Sequence, residues 1–128
     1  MSETEKITIN MSAVDLGKVD LLVQEGLYSN RTDFIRTAIR NLIDKHSVEI
    51  QQSVVRHAFG IGMFHYSHTD FEKIKASGKK LVISIIGMLD LGYDIPPQLA
   101  DEVVESIQVR GIFQASEEVK KVLADRMK

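Results

Sequence analysis

Strict alternation of polar and apolar residues marks the start of the chain. Three apolar residues alternate there with three polar ones, in the order Lys6-Ile7-Thr8-Ile9-Asn10-Met11. A period of two residues is typical of a strand with one buried face. The next strand candidate lies about fifty residues further along, and a lone strand leaves its backbone groups without partners. The pattern therefore predicts that this strand pairs with the same strand of a second copy.

Two amphipathic helices are predicted after this strand. Ser12 is suited to cap the first helix, and Gly26 can take the left-handed conformation that ends it. Asn30 is suited to cap a second helix that reaches about Lys45, with an extension through residues 54–55 allowed by the pattern. Apolar pairs recur every four residues along the second helix, at Phe34/Ile35, Ala38/Ile39 and Leu42/Ile43. This stripe predicts a buried helix face.

Beyond His57 the pattern predicts a small domain of alternating strands and helices. Strands are predicted at Phe59–Tyr66, Leu81–Leu91 and Ile107–Phe113. Helices are predicted at Thr69–Ser77, from Pro96 and Pro97 to about Glu105, and at Glu117–Met127. The middle strand is apolar on both faces, as a central strand is. Its residues 83–89 resemble residues 107–113 at an offset of 24, which indicates two strands of one sheet.

Composition narrows the class of protein. The chain has 128 residues, of which 44% are apolar and 27% are charged, so it can bury the core of one domain or two small ones. The absence of cysteine excludes disulfides, thiolate zinc sites and thiol catalysis. No apolar stretch approaches the roughly 20 residues of a membrane span, and Met1–Lys6 does not resemble a signal peptide. A soluble cytoplasmic protein with no membrane partner is expected.

Charge limits the kind of nucleic-acid surface that the chain can carry. Sixteen basic residues stand against eighteen acidic ones, which gives a net charge of −2. This balance argues against a protein that binds acidic polymers over its whole surface. Any surface for nucleic acid must therefore be a local patch.

The turn between the first two helices carries the most specific motif in the chain. It reads Gly26-Leu27-Tyr28-Ser29-Asn30-Arg31-Thr32-Asp33-Phe34-Ile35-Arg36-Thr37-Ala38-Ile39-Arg40. This segment resembles the ribbon-helix-helix family of DNA-binding repressors, and its CopG type in particular. That family has a glycine turn, an aromatic residue, a cap, an Arg-Ser/Thr-Glu/Asp triplet, and then Ile-Arg with a small apolar residue. Asp33 replaces the more frequent Glu, and the resemblance covers about residues 5–46.

The resemblance implies a homodimer that reads the major groove of double-stranded DNA. Two copies of the strand would form an antiparallel ribbon over the four helices of the dimer, with Ile7, Ile9 and Met11 facing the helices. A two-stranded ribbon fits a major groove, and strand readers are a known docking class. The opposite ribbon face would then read base edges, through Lys6, Thr8 and Asn10.

Phosphate contacts are expected at the start of the second helix. Amides at a helix N-terminus bind anions, which makes Ser29, Asn30, Arg31 and Thr32 the candidates. Arg31 would add positive charge. Asp33 would repel a phosphate unless its carboxylate turns back to cap the helix.

The C-terminal part leaves several functions open. His57, His65 and His68 are weak candidates for metal binding, because nickel-responsive relatives carry a histidine-bearing domain, but the His-x-His pattern of those regulators is missing. The preferred interpretation is assembly, in which this part joins dimers into tetramers or covers the N-terminal domain. An antitoxin whose tail masks a toxin is an alternative, although such tails are often disordered before binding. No phosphate loop, nucleophile elbow or paired-acid motif indicates an enzyme, and no cofactor is predicted.

The sequence thus predicts an α+β protein with two domains. Residues 1–47 form a ribbon-helix-helix domain for DNA binding and dimerisation. Residues 48–128 form a small sheet-and-helix domain for oligomerisation or sensing. The predicted function is sequence-specific transcriptional regulation, as a repressor. A metal-responsive repressor and an autoregulating antitoxin, which would need a protein partner, remain as alternatives.

Overall fold

The computed structural model describes residues 4–128. Its helices are α1 (Ala13–Gln24), α2 (Arg31–Lys45), α3 (Ser47–His57), α4 (His68–Ala76), α5 (Pro97–Val103) and α6 (Glu117–Leu123). Its strands are β1 (Gly60–Tyr66), β2 (Leu81–Leu91) and β3 (Val104–Gln114). Contacts divide the chain into an N-terminal unit, Lys6–Ser53, and a C-terminal unit, Val54–Lys128, which also includes the described residues Thr4 and Glu5.

Local signals set the ends of α1. The hydroxyl of Ser12 accepts a hydrogen bond from the amide of Asp15 at 3.1 Å, which caps the first turn. Gly26 has a φ of +83°, and the amide of Leu27 donates to the carbonyl of Leu22 at 3.0 Å. This pattern is that of a Schellman motif, in which a left-handed residue lets the chain satisfy the last carbonyls of the helix. Both predicted ends of the helix are confirmed.

The helical path beyond α2 is nearly continuous. α2 ends at Lys45, and the amide of Ile50 donates back to the carbonyl of His46 at 3.0 Å as α3 begins. The predicted extension of the second helix therefore exists as a separate helix after a local break at His46. None of its residues is buried, and Val48 and Val55 are 63% and 72% exposed.

Very few side chains of the N-terminal unit are buried in the single chain. Val19 on α1 is 4% exposed, and among the described positions 6–53 it is the single buried residue. Apolar residues of the predicted α2 stripe lie open instead, with Leu42 at 57% and Ile43 at 52%. The unit thus has helices with apolar faces but lacks a core of its own.

The segment predicted as the first strand has no regular secondary structure within the single chain. Its apolar side chains are exposed, at 72% for Ile7 and 58% for Ile9. Because the predicted pairing partner is the same segment of a second copy, a ribbon between two subunits stays a prediction.

The C-terminal unit is built on a three-stranded sheet with the order β1-β2-β3 and parallel pairing throughout. The predicted strands are confirmed, including the central position of Leu81–Leu91. One hydrophobic core joins the sheet to α4, α5 and α6, and its fully buried members include Phe71, Leu89, Leu91, Val103, Val119 and Leu123. Serine caps fix two of these helices, since Ser67 accepts from the amide of Asp70 and Ser116 from that of Val119.

Two predicted helix ends in this unit are wrong. α5 stops at Val103 rather than near Glu105, because Val103 and Val104 are both buried and the chain becomes strand β3 there. α6 stops at Leu123, and the chain tightens into a 3₁₀ turn at Ala124–Arg126 instead of continuing to Met127. The guanidinium of Arg126 donates to backbone carbonyls at the α5–β3 junction, which favours this tighter turn.

A row of glycines crosses the sheet at one level. Gly62, Gly87 and Gly111 are direct partners on the three strands, with φ values of +141°, +133° and +129°. A Cβ atom on Gly87 would lie 2.0 Å from the carbonyl oxygen of Gly62, and one on Gly111 would lie 2.0 Å from that of Gly87. The offset of 24 in the sequence equals the β2–β3 register, because Gly87 pairs with Gly111. The predicted sheet pairing is therefore confirmed.

Candidate nucleic-acid interface

Reciprocal hydrogen bonds shape the turn before α2. The side-chain oxygen of Asn30 accepts from the amide of Asp33 at 2.8 Å, and the carboxylate of Asp33 accepts from the amide of Ser29 at 2.9 Å. Tyr28 and Phe34 meet edge to face, with ring centroids 5.0 Å apart. Asp33 thus turns back toward the loop, which is the orientation that leaves the helix end open to an anion.

The start of α2 can offer backbone donors to a phosphate. The first amides of a helix have no acceptor in their own helix, and Asn30 takes that of Asp33. The amides of Arg31 and Thr32 remain directed out of the helix end. Together with the positive end of the helix dipole, they form the kind of site that binds phosphate groups.

An ion pair holds the guanidinium of Arg31. Its Nε and Nη2 atoms each lie 2.8 Å from one carboxylate oxygen of Asp20 on α1. This hydrogen-bonded pairing lowers the pKa of Asp20 and raises that of Arg31. The two side chains are 49% and 56% exposed, so the pair lies at the surface of the N-terminal unit.

Further cations lie beside the start of α2. A shallow cleft of about 330 Å³ is lined only by polar and charged residues, namely Asn30, Thr32, Asp33, Arg36 and Arg40. Arg36 and Arg40 are exposed and one helical turn apart. Two positive side chains therefore accompany the backbone donors in the same region.

The predicted base-reading residues are open to solvent. Lys6, Thr8 and Asn10 are all exposed, as are the predicted phosphate contacts Ser29, Asn30, Arg31 and Thr32. The structure brings the second group together at the start of α2. It leaves the first group on an extended segment, whose alignment with α2 depends on the predicted ribbon.

The three histidines considered for metal binding have separate partners. The Nδ1 atom of His65 lies 2.7 Å from a carboxylate oxygen of the buried Asp90, while His68 contacts Glu72 at 3.2 Å. The ring of His57 packs against that of Phe59. Within residues 4–128 no three His, Cys, Asp or Glu side chains group together as ligands of a metal ion. The histidines therefore do not converge on one site.

The sequence did not indicate that Asp20 lies at the candidate interface. Asp20 and Arg31 are eleven positions apart on different helices, so no periodicity connects them. Arg36 and Arg40 have a recognisable helical spacing, but their place beside Asn30 follows from the path of the turn.

Comparison with known proteins identifies the class. A profile of the Ribbon-Helix-Helix transcriptional regulator family matches residues 2–120. The chain belongs to this family, and the match extends through most of the C-terminal unit as well as the N-terminal helices. The predicted family, drawn from residues 5–46, is confirmed.

A curated relative agrees with this assignment. The chain is similar to the Transcriptional regulator CdrS of Halobacterium salinarum, with 33% identity over 43 residues. The aligned part is 34% of this chain and 78% of that protein. No solved structure gives a significant match.

Family membership establishes the broad function. The protein is a DNA-binding transcriptional regulator and not an enzyme. Members of this family bind DNA, typically as dimers. None of the helices described between residues 4 and 128 is long and apolar enough to cross a membrane.

Proposed function

We propose that the protein is a homodimeric repressor that acts in the cytoplasm and reads operator DNA with a ribbon formed by two subunits. Lys6, Thr8 and Asn10 contact base edges, and the start of α2 contacts the flanking phosphates. Residues 1–47 carry this activity, and residues 48–128 support assembly beyond the dimer.

The exposed apolar surface of the N-terminal unit carries the proposal. One buried residue, Val19, does not stabilise helices of this length. A second copy that covers Ile7, Ile9, Leu42 and Ile43 supplies the missing core. The same pairing gives the segment around Thr8 a strand partner and places two sets of polar side chains on the outer face.

The residue types suit the two kinds of contact. Lysine donates to guanine acceptors, asparagine pairs bidentately with adenine, and each good bidentate contact contributes about 1–3 kcal/mol of discrimination. Contacts to phosphate fix the register on the duplex and carry no sequence information. The amides of Arg31 and Thr32 suit that second role, because both residues are exposed and lie in the first turn of α2.

The C-terminal unit bears on the alternatives. An antitoxin tail is often disordered before it binds its toxin, whereas residues 54–128 have a continuous core. A metal-responsive repressor needs converging ligands, and the described histidines lie with separate partners. Assembly of dimers into tetramers is therefore the role we propose for this unit.

The proposal is tested by fluorescence anisotropy with DNA enriched by rounds of selection. We expect saturable binding that favours selected over random DNA and weakens with salt. Asn10→Ala should cost about 1–3 kcal/mol on the selected site and little on random DNA. Thr32→Ala, which keeps the backbone amide of Thr32, serves as the control and should retain the preference for the selected site.

Two outcomes would contradict the proposal. A folded, dimeric protein that shows no salt-dependent affinity for DNA excludes operator binding. An Asn10→Ala variant that loses the same affinity on selected and random DNA excludes base reading by the ribbon.

A further inference from the structure

The Asp20–Arg31 ion pair occupies the donors that a phosphate would need. Nε and Nη2 of Arg31 form the fork that binds a carboxylate or a phosphate bidentately. In the structure both atoms donate to Asp20 at 2.8 Å. Arg31 is the first residue of α2, directly beside the backbone donors of the proposed phosphate site.

We propose that Asp20 is an intramolecular competitor of the DNA backbone for Arg31, and that it lowers the affinity of the protein for all DNA sequences alike. This inference rests on the proposed function. Binding to DNA then requires Arg31 to exchange the carboxylate for a phosphate oxygen. Because the ribbon residues that read bases are not involved, the loss of affinity is independent of sequence.

The charge balance of the N-terminal unit gives this competition its effect. Residues 6–53 contain six basic and six acidic residues, so no general positive field compensates for a neutralised arginine. Each phosphate that a protein cation neutralises steepens the salt dependence by about 0.9 in the logarithmic slope. A dimer holds two copies of the ion pair. Removing both ion pairs should therefore make the salt dependence of DNA binding steeper, by up to about 2 in the logarithmic slope.

A purely structural role does not explain the pair well. Both side chains are about half exposed, and exposed ion pairs contribute little to stability. The turn between α1 and α2 is already held by the Gly26 terminus, the Asn30 cap and the ring contact of Tyr28 with Phe34. The position of Asp20 matters more for the charge presented to DNA than for the fold.

The test compares Asp20→Asn with Asp15→Asn in the full chain. Both substitutions remove one negative charge from α1, but Asp15 has no ion pair within 4.0 Å among the described residues, whereas Asp20 contacts Arg31. We expect Asp20→Asn to bind selected and random DNA about 2- to 10-fold more tightly, with a steeper salt slope, and Asp15→Asn to remain close to the wild type.

A double variant shows whether the effect passes through Arg31. Arg31→Ala should weaken binding to all sequences, and adding Asp20→Asn to it should restore much less affinity than the same change gives in the wild type. A merely structural role would not produce this dependence. Circular dichroism and the dimer mass of each variant establish that it is folded.

Several results would overturn the inference. Weaker binding by Asp20→Asn would mean that Asp20 positions Arg31 for DNA, and equal gains from Asp15→Asn would mean a general charge effect. An unchanged Asp20→Asn affinity, with wild-type binding intact, refutes the competition alone. If neither the wild type nor the Asp20→Asn variant binds DNA, both the proposed function and the competition are refuted.

Discussion

Asp70 and Ser67 stabilise the start of α4 through charge as well as hydrogen bonding. The carboxylate of Asp70 accepts from the amide of Ser67 at 2.8 Å, and the hydroxyl of Ser67 accepts from the amide of Asp70 at 3.1 Å. These bonds form a capping box. The hydrogen bond from the Ser67 amide favours the ionised carboxylate and lowers the pKa of Asp70 below its ordinary value of 3.8.

Asp70 should therefore contribute to stability in a pH-dependent way. Its pKa is lower in the folded than in the unfolded state, so its contribution is complete above about pH 4. It is lost as the pH falls through the lower folded value. Thermal unfolding between pH 2 and 7 should show Asp70→Asn below the wild type at neutral pH, with a difference that shrinks in acid. A difference that stays constant with pH would contradict the charge-based explanation.

Side chains that act across the turn could not be predicted from sequence. The caps Ser12 and Asn30 were predictable because each acts on an amide three positions away. The pairing of Asp20 with Arg31 depends on the angle at which two helices leave a turn, which no local signal encodes. The presence of a phosphate-binding type of site was therefore predictable, whereas the ion pair that Arg31 forms with Asp20 was not.

At the scale of elements, the glycine row is the feature with the clearest consequence for stability. Gly87→Ala places a Cβ 2.0 Å from a backbone oxygen at a φ of +133°, so the strands must separate or the backbone must change. We expect a loss of about 3 kcal/mol or more in the free energy of unfolding. The measurement is urea unfolding followed by circular dichroism.

The matched control for this prediction is a glycine in α1. Gly17 lies inside a helix, and among the described residues a Cβ atom on it would meet no atom within 4 Å beyond its chain neighbours and the nearby backbone of its own helix. Gly17→Ala should therefore leave stability unchanged or raise it by about 0.5–1 kcal/mol. A wild-type stability for Gly87→Ala would show that the sheet absorbs the extra atom, and that the row is not a structural requirement.

Element boundaries were predictable where a local residue sets them and not where burial does. Proline residues 96 and 97 correctly predict the start of α5, because proline is favoured in a first turn. The end of α5 depends on Val103 and Val104, which belong to a core made by distant strands. The offset of 24 was visible because parallel strands with the same glycine position repeat the same pattern.

At the scale of the whole molecule, the two units differ in what a single chain can stabilise. The C-terminal unit has a core that joins its sheet to three helices. Among its described residues, the N-terminal unit buries a single side chain, that of Val19. Folding of the N-terminal helices should therefore depend on dimerisation.

Leu42→Asp tests this dependence. Leu42 is 57% exposed in the single chain but lies on the apolar stripe of α2, where a charge would be buried in a dimer. We expect a monomer by sedimentation, a loss of helical circular dichroism and no DNA binding, while the C-terminal unit stays folded. Tyr93→Asp is the control, since Tyr93 is 68% exposed in a loop of the C-terminal unit. A dimeric Leu42→Asp protein with full helicity would contradict the dimer interface.

The near absence of buried side chains between Lys6 and Ser53 connects the lifetime of the protein to its abundance. In the proposed dimer the paired chains would protect one another at high concentration, whereas at low concentration separated chains would expose unfolded segments to proteases. We expect degradation to accelerate once synthesis stops and growth dilutes the dimer. The regulator would then disappear faster than cell division alone removes it, and its target genes would respond with a sharp onset.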